Sequence, residues 1–106
     1  MRFCQVLRLK PEHRDEYIRA HANIWPEIKQ LIHDANIRNY SLYLKDDLLL
    51  GVFDYVGKDM DADWKKMVDS QRMKDWWALM TPMQEPLPTR GPGEWWATTE
   101  EIWHMD

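Results

Sequence analysis

The sequence has few of the features that an exported, membrane-embedded or nucleic-acid-binding protein needs. Its single cysteine, Cys4, cannot form an internal disulfide. Lys and Arg (14) are outnumbered by Asp and Glu (18), giving a net charge of -4, whereas nucleic acids and anionic membranes attract clustered positive charge. No apolar run approaches the ~20 residues that span a bilayer, and charges interrupt residues 1–10, unlike a secretory signal. We therefore expect a cytoplasmic protein without nucleic-acid or membrane partners.

Motifs for phosphate binding, nucleophilic catalysis and metal binding are absent as well. The chain has no Gly-rich phosphate loop, no Walker motif and no nucleophile elbow. Its four histidines, at positions 13, 21, 33 and 104, show neither an H-E-x-x-H pattern nor a cysteine at ligand spacing. We expect no metal and no cofactor, and we interpret Cys4 as a small buried hydrophobic residue.

Aromatic residues are abundant for so short a chain. The 106 residues form one domain, and they include seven Trp, four Tyr and two Phe. A domain of this size buries only about two-thirds of the surface of its unfolded chain. Some of the aromatic side chains must therefore line a pocket or contact a partner chain, and we expect a homodimer.

The first third of the chain predicts a strand followed by helix. Arg2–Lys10 is short and carries apolar residues at positions 3, 6, 7 and 9, and Pro11 ends it while suiting the first turn of a helix. An apolar stripe then runs from Tyr17 through His21 to Ile32 in steps of three and four residues, which marks one face of a helix.

Pro26 cannot lie inside a continuous helix. We predict a kink near Asn23, with Asn23 capping a second helix that extends to about Asp34. Asn36 is predicted to stop that helix in a left-handed conformation.

A hairpin and two short helices follow. Residues 38–44 alternate, with Tyr40 on the same face as two leucines, and residues 48–56 return after a polar turn. Asp61 and Ser70 are predicted N-caps of the two helices, and Pro82 ends the second.

The C-terminal quarter predicts a long loop and a final strand. Residues 81–97 hold four of the six prolines, which indicates irregular structure, and Thr98–Met105 alternates like a strand. The resulting order β-α-β-β-α-β is typical of the α+β, ferredoxin-like split βαβ fold, with helices on one face of an antiparallel sheet. The other face is then left for a partner or a pocket.

His21 is the strongest candidate for chemistry. It lies four residues after Tyr17, so the two side chains project from one helical face beside the predicted kink. The strand carrying Tyr40 is expected to pass beneath them. The alternative for His21 is a hydrogen-bonded core histidine, and His104 on the predicted last strand is equally open to a structural or a functional role.

Two tryptophan pairs are the second notable feature. Trp76 and Trp77 are adjacent on a predicted helix and point about 100° apart, so only one can face the core fully. An exposed indole suits the apolar face of a sugar ring and can donate a hydrogen bond. Trp95 and Trp96 in the loop could contact a sugar in the same way or anchor a dimer contact.

Three segments together resemble the L-rhamnose mutarotase family over most of the chain, best over residues 3–83. They are residues 21–27 (HANIWPE), residues 39–44 (NYSLYL) and residues 75–77 (DWW). The resemblance implies a ferredoxin-like dimer, described as a dimeric α/β barrel, that interconverts the α and β anomers of a 6-deoxy-L-hexose without a cofactor. It further implies that His21 is the proton donor and that four aromatic residues bind the sugar: Tyr17, Tyr40, Trp76 and Trp77.

One segment departs from the family pattern. Members usually carry an Asn-Pro-Asp-Asn-Ser-Pro-like sequence before the last strand, where this chain has EPLPTRGPGEWW at residues 85–96. The resemblance predicts L-rhamnose as the substrate. The segment is expected to border the site, so its departure makes L-fucose the competitor.

Two other functions share this fold class, since a fold does not fix a function. A non-catalytic sugar- or small-molecule-binding dimer would need the tryptophans and tolerate loss of His21. A cofactor-free oxygenase would consume oxygen, which a mutarotase does not.

Overall fold

Four α-helices lie against one antiparallel sheet in the computed structural model, which describes all 106 residues. Two short 3-10 turns, Pro11–His13 and Thr81–Met83, precede α1 and follow α4. The helices and strands in chain order are β1 (Arg2–Leu9), α1 (Arg14–Ala22), α2 (Pro26–Asp34), β2 (Ile37–Lys45), β3 (Leu48–Tyr55), α3 (Met60–Val68), α4 (Gln71–Met80), β4 (Gln84–Glu85) and β5 (Ala97–Thr98).

The strand order confirms the predicted ferredoxin-like fold. The sheet runs β2-β3-β1-β4, and β5 also pairs with β1. All of these pairs are antiparallel, and the β2–β3 hairpin turns at Asp46 and Asp47.

Alternation along the strands separates a covered face from an open one. Leu7 and Leu9 of β1 and Phe53 of β3 face the helices and belong to the buried core. The opposite face, which we call the open face, carries residues that no helix covers. They are Cys4, Val6, Leu50 and Val52, all half-buried, and Tyr43, which is 60% exposed.

The predicted last strand is wrong. Only Ala97 and Thr98 form β5, and residues 99–106 are exposed without regular structure. The reason is the length of β1. Its outer edge pairs with Gln84–Glu85 at one end and with Ala97–Thr98 at Gln5 and Val6, so few positions remain for an antiparallel strand to continue. The fourth strand position of the fold is taken by β4, inside the predicted loop.

The break between the first two helices is confirmed, but the predicted cap is wrong. Asn23 directly follows α1, and α2 begins at Pro26 after an extended Trp25. A residue before proline avoids the helical region, so α2 cannot begin earlier. Asn36 has a positive φ of 63°, which confirms the left-handed stop.

Of the predicted N-caps of the next two helices, one is confirmed and one is wrong. Ser70 is confirmed, because its hydroxyl accepts a hydrogen bond from the Met73 amide. Asp61 is wrong as a cap and lies in the first turn of α3. Asp59 caps that helix instead, accepting from the Ala62 amide at 3.1 Å.

A buried carboxylate fastens α3 to the sheet. Asp63 is only 6% exposed and accepts hydrogen bonds from the Tyr55 hydroxyl, the Asn36 amide (2.9 Å) and the Lys66 ammonium (2.8 Å). These donors hold the pKa of Asp63 well below its usual range, the Lys66 contact most of all. Gly57 leaves room for the cluster, since a Cβ there would overlap both the Tyr55 hydroxyl and the carboxylate.

Asp63→Asn should lower the melting temperature by more than about 5 °C at pH 7, because an amide loses the Lys66 charge and places a donor among donors. The carboxylate of Asp63 has a depressed folded pKa, so its stabilisation is present above pH 3.8 and disappears as the pH falls through the lower folded value. The difference between wild type and variant should therefore shrink with acidification. The matched control is Asp61→Asn on the exposed side of α3, and equal melting temperatures for the two variants would contradict the anchoring role.

Candidate active site

His21 lies half-buried in the last turn of α1. Its Nδ1 is 2.9 Å from the carbonyl oxygen of Tyr17. A carbonyl can only accept, so the neutral ring carries its hydrogen on Nδ1 and presents the lone pair of Nε2. Burial lowers the pKa of His21 below 6.5, against a smaller opposing effect of this hydrogen bond. The imidazole is therefore neutral at cellular pH, with one nitrogen fixed and the other a free base.

Aromatic rings enclose the imidazole. The ring of Tyr17 is 4.5 Å away, centroid to centroid, and the Trp76 ring meets it edge-on at 5.4 Å. Trp25 in turn packs edge-on against Trp76 at 5.2 Å, with the Arg72 guanidinium 3.6 Å above its ring. The helix break at 23–25 thus brings α1, α2 and α4 together around His21.

Tyr17 has its hydroxyl in a buried polar contact. Its oxygen accepts a hydrogen bond from Nε2 of Gln84 at 2.9 Å, and Oε1 of Gln84 accepts from the indole N–H of Trp95 at 2.8 Å. Burial raises the pKa of Tyr17 to about 12, partly offset by the hydrogen bond from Gln84. The phenol therefore stays protonated at neutral pH and can act as a hydrogen-bond donor.

Tyr40 reaches the same side of the sheet through a bulge. The β2–β3 register shifts between Arg38 and Ser41, where Asn39 has a φ of 54°. The Tyr40 ring packs on Phe53 at 5.4 Å. Burial and, secondarily, the nearby Tyr17 raise the pKa of Tyr40 to about 12.

The hydroxyl end of Tyr40 is buried, although the residue as a whole is 40% exposed. It lies above the backbone of Gly51, where an added Cβ would stand 3.3 Å from the hydroxyl oxygen. The small residue on β3 thus gives this phenol its place on the helix-facing side.

Trp76 and Trp77 differ in burial and in their neighbours, as the helical spacing predicts. Trp76 is 6% exposed and contacts His21, whereas Trp77 is half-buried and stacks on Trp64 of α3 at 6.3 Å. Of the sequence candidates, the structure brings together Tyr17, His21 and Trp76, and it turns Trp77 toward α3.

The other histidines lie elsewhere. His104 is in the exposed C-terminal segment and contacts Asp106 at 2.8 Å, so it is not part of the cluster around His21. His13 pairs with Glu16, and His33 is exposed. No three His, Cys, Asp or Glu side chains are grouped closely enough to hold a metal ion. None of the helices has the length and apolar character needed to cross a membrane.

Sequence reasoning missed the hydrogen bond of Gln84 to Tyr17 and that of Trp95 to Gln84. Gln84 lies 67 positions from Tyr17 and inside a stretch predicted to be loop. The available signal was the departure of residues 85–96 from the family pattern, which marks the segment as distinctive without showing what it contacts.

Relatives of the chain agree on one family. A sequence model of the L-rhamnose mutarotase family matches residues 2–105. An L-rhamnose mutarotase of Ligilactobacillus salivarius is 29% identical over 100% of this chain and 98% of its own length. Another, of Paraburkholderia phymatum, is 33% identical over 74% of this chain and 72% of its own length.

Solved structures agree on the fold. The L-rhamnose mutarotase of Formosa agariphila superposes with a TM-score of 0.77 at 22% identity, covering 100% of this chain and 99% of its own. The tetracenomycin F2 cyclase of Streptomyces glaucescens, a type II polyketide cyclase, superposes with a TM-score of 0.67 at 15% identity over the same shares. With the family model matching nearly every residue, the chain belongs to the L-rhamnose mutarotase family, whose members are isomerases acting on sugar anomers.

Proposed function

We propose that this protein interconverts the α and β anomers of L-rhamnose by acid–base ring opening at His21. The observation that carries the proposal is the fixed tautomer of the imidazole. Nδ1 is committed to the Tyr17 carbonyl, which leaves Nε2 as a neutral base in an aromatic enclosure. Family membership supplies the reaction class and the sugar named for the relatives.

Ring opening needs one proton removed and one delivered. Nε2 of His21 takes the proton of the anomeric hydroxyl, the bond between the anomeric carbon and the ring oxygen breaks, and the ring oxygen gains a second proton that the Tyr17 or Tyr40 hydroxyl relays. On reclosure at the other carbonyl face, the attacking hydroxyl returns its proton to the phenol that relayed it. The imidazolium returns its own proton to the anomeric oxygen, which is the donor role that the resemblance implies. A placed acid–base group supplies about 10²–10⁴-fold, which suits a reaction of modest barrier.

Tyr17 and Tyr40 serve as phenols that orient the sugar hydroxyls or relay the second proton. Both hydroxyls have pKa values raised to about 12, so both keep their hydrogens at cellular pH. Trp76 forms the wall behind His21. Trp77 packs on Trp64 of α3 rather than on His21, so its proposed contact with the sugar rests on the family resemblance.

L-Fucose is the competing substrate, because residues 85–96 differ from the family segment and one of them, Trp95, contacts the Tyr17–Gln84 pair. A non-catalytic binding module and a cofactor-free oxygenase are not favoured by the family assignment. We further propose a cytoplasmic location and a homodimer in which the open faces of two copies pack together.

His21→Asn should stay folded and keep most of its sugar affinity, because the amide retains a hydrogen-bonding group of similar reach. It should lose anomer exchange by about 10²-fold or more, since an amide does not exchange protons near neutral pH. Saturation-transfer NMR on L-rhamnose and L-fucose, with melting temperature taken on the same sample, measures both. His33→Asn, an exposed histidine on α2, is the matched control.

The pH profile gives an independent readout of the same residue. The active form is the neutral imidazole, and the pKa of His21 lies below 6.5. The exchange rate should therefore be constant at pH 7–8 and fall as the pH drops through the lowered pKa of His21. If His21 had only a structural role, His21→Asn would instead lower the free energy of unfolding by about 1–3 kcal/mol and leave the exchange rate of the folded protein unchanged. That result would remove His21 from the mechanism.

The two adjacent tryptophans should respond differently to truncation. Trp76→Ala should cost about 3–5 kcal/mol of unfolding free energy, because it empties a buried site between His21 and Trp25. Trp77→Ala should cost less and should weaken sugar binding, which a titration of the indole N–H resonances with L-rhamnose measures. Unchanged affinity in a folded Trp77→Ala protein would remove its stacking role.

The open face should hold two copies together at micromolar concentration. Val52→Lys places a charge at the centre of that face and should convert the dimer to a monomer in sedimentation velocity, since an uncompensated buried charge is costly. Val56→Lys, at a position that is 59% exposed just beyond β3, should leave the dimer intact. A monomeric wild type at neutral pH would refute the proposed dimer.

A further inference from the structure

Residues 86–96 end in the pair Trp95 and Trp96. Trp95 is linked to the Tyr17 hydroxyl of the candidate active site through the side chain of Gln84. The indole N–H of Trp95 donates to Oε1 of Gln84 at 2.8 Å, and Nε2 of Gln84 donates to the Tyr17 oxygen at 2.9 Å. The Gln84 side chain is buried, with the residue 6% exposed, so water does not compete freely for its amide. Three separate parts of the chain, α1, β4 and the loop, thus meet in a single chain of hydrogen bonds.

This chain of hydrogen bonds has only one possible direction. An indole N–H can donate but never accept, so the Gln84 carbonyl oxygen must face Trp95. The amide nitrogen then faces Tyr17, and because it too can only donate, one lone pair of the phenol oxygen is filled. The hydroxyl hydrogen of Tyr17 has no acceptor among these three side chains and is left for a bound ligand.

The orientation depends on Trp95, since an amide works equally well when rotated by 180° about its last bond. Without the indole N–H, Gln84 can turn its carbonyl oxygen to Tyr17. The phenol would then donate its hydrogen to Gln84 and could no longer donate it to a sugar.

The loop is built to hold this tryptophan in place. The carboxylate of the preceding Glu94 accepts from the Gly91 amide at 2.7 Å and from the Thr98 hydroxyl at 2.6 Å. These bonds lower the pKa of Glu94, so the carboxylate stays ionised at neutral pH. Glu94 thereby joins the loop to β5, directly beside Trp95.

We propose that Trp95 and Gln84 are positioning residues that direct the Tyr17 hydroxyl hydrogen toward the bound sugar. The proposal rests on the proposed function, because it assigns Tyr17 as a donor to the sugar in that reaction. It gives the segment that departs from the family pattern a specific task, which is to fix the polarity of an active-site hydroxyl.

The test is a double-mutant cycle on anomer exchange. Trp95→Phe removes the indole N–H and keeps an aromatic ring. Gln84→Glu places an acceptor where the amide nitrogen lies, which forces Tyr17 to donate inward. Each should reduce the exchange rate on L-rhamnose about five- to tenfold, and neither should reduce it further in a Tyr17→Phe background.

Trp103→Phe is the matched control, because Trp103 is 75% exposed in the C-terminal segment and should give the wild-type rate. Equal reductions in the wild-type and Tyr17→Phe backgrounds, or no reduction in either, would overturn the proposal. Melting temperatures of all variants separate loss of rate from loss of fold.

Failure of the proposed function gives a different result. A folded wild type that exchanges the anomers of neither L-rhamnose nor L-fucose would refute that function. The same cycle, run on the dissociation constant for L-rhamnose, then decides the inference. Reductions in affinity that disappear with Tyr17→Phe support it, and absent or unchanged binding overturns it.

Discussion

The hydrogen bond between Nδ1 of His21 and the carbonyl oxygen of Tyr17 governs the chemistry of the site. Without it, either nitrogen of the imidazole could carry the hydrogen, and the ring would have no defined base. With it, Nε2 is the base, and burial among Tyr17 and Trp76 keeps the ring neutral at cellular pH. The bond is local, because it joins residues one helical turn apart. The rings that surround the imidazole are not all local in sequence, since Trp76 belongs to α4.

Two constraints of the backbone create those surroundings. Pro26 forces Trp25 into an extended conformation, so α1 ends directly after His21 and α2 leaves in a new direction. The positive φ of Asn39 shifts the register of β2 and brings the Tyr40 hydroxyl over Gly51. Both irregularities lie beside the site, and β-bulges in particular are common next to active sites, where they redirect a side chain.

The thin core of the protein explains its wealth of aromatic residues. Seventeen of the 106 residues are buried, and several large side chains lie outside that set. Some of them, such as Trp25 and Trp77, are partly buried and pack against the core. Others, such as Tyr43, remain on the open face, where a second copy of the chain would cover them.

Four features could be predicted from the amino-acid sequence: the order of elements, the helix break at Pro26, the shared face of Tyr17 and His21, and the divergence of Trp76 from Trp77. Each of these follows from helical spacing, from the alternation of apolar and polar residues in strands, or from proline and asparagine backbone preferences, which all act over a few residues. Contacts in the folded protein explain why β5 stops at Thr98, why β4 forms within the loop, and why Trp95 bonds to Gln84 and Gln84 to Tyr17. These outcomes depend on where the edge of β1 is free and on contacts between residues far apart in the chain, and no local pattern in the sequence encodes either.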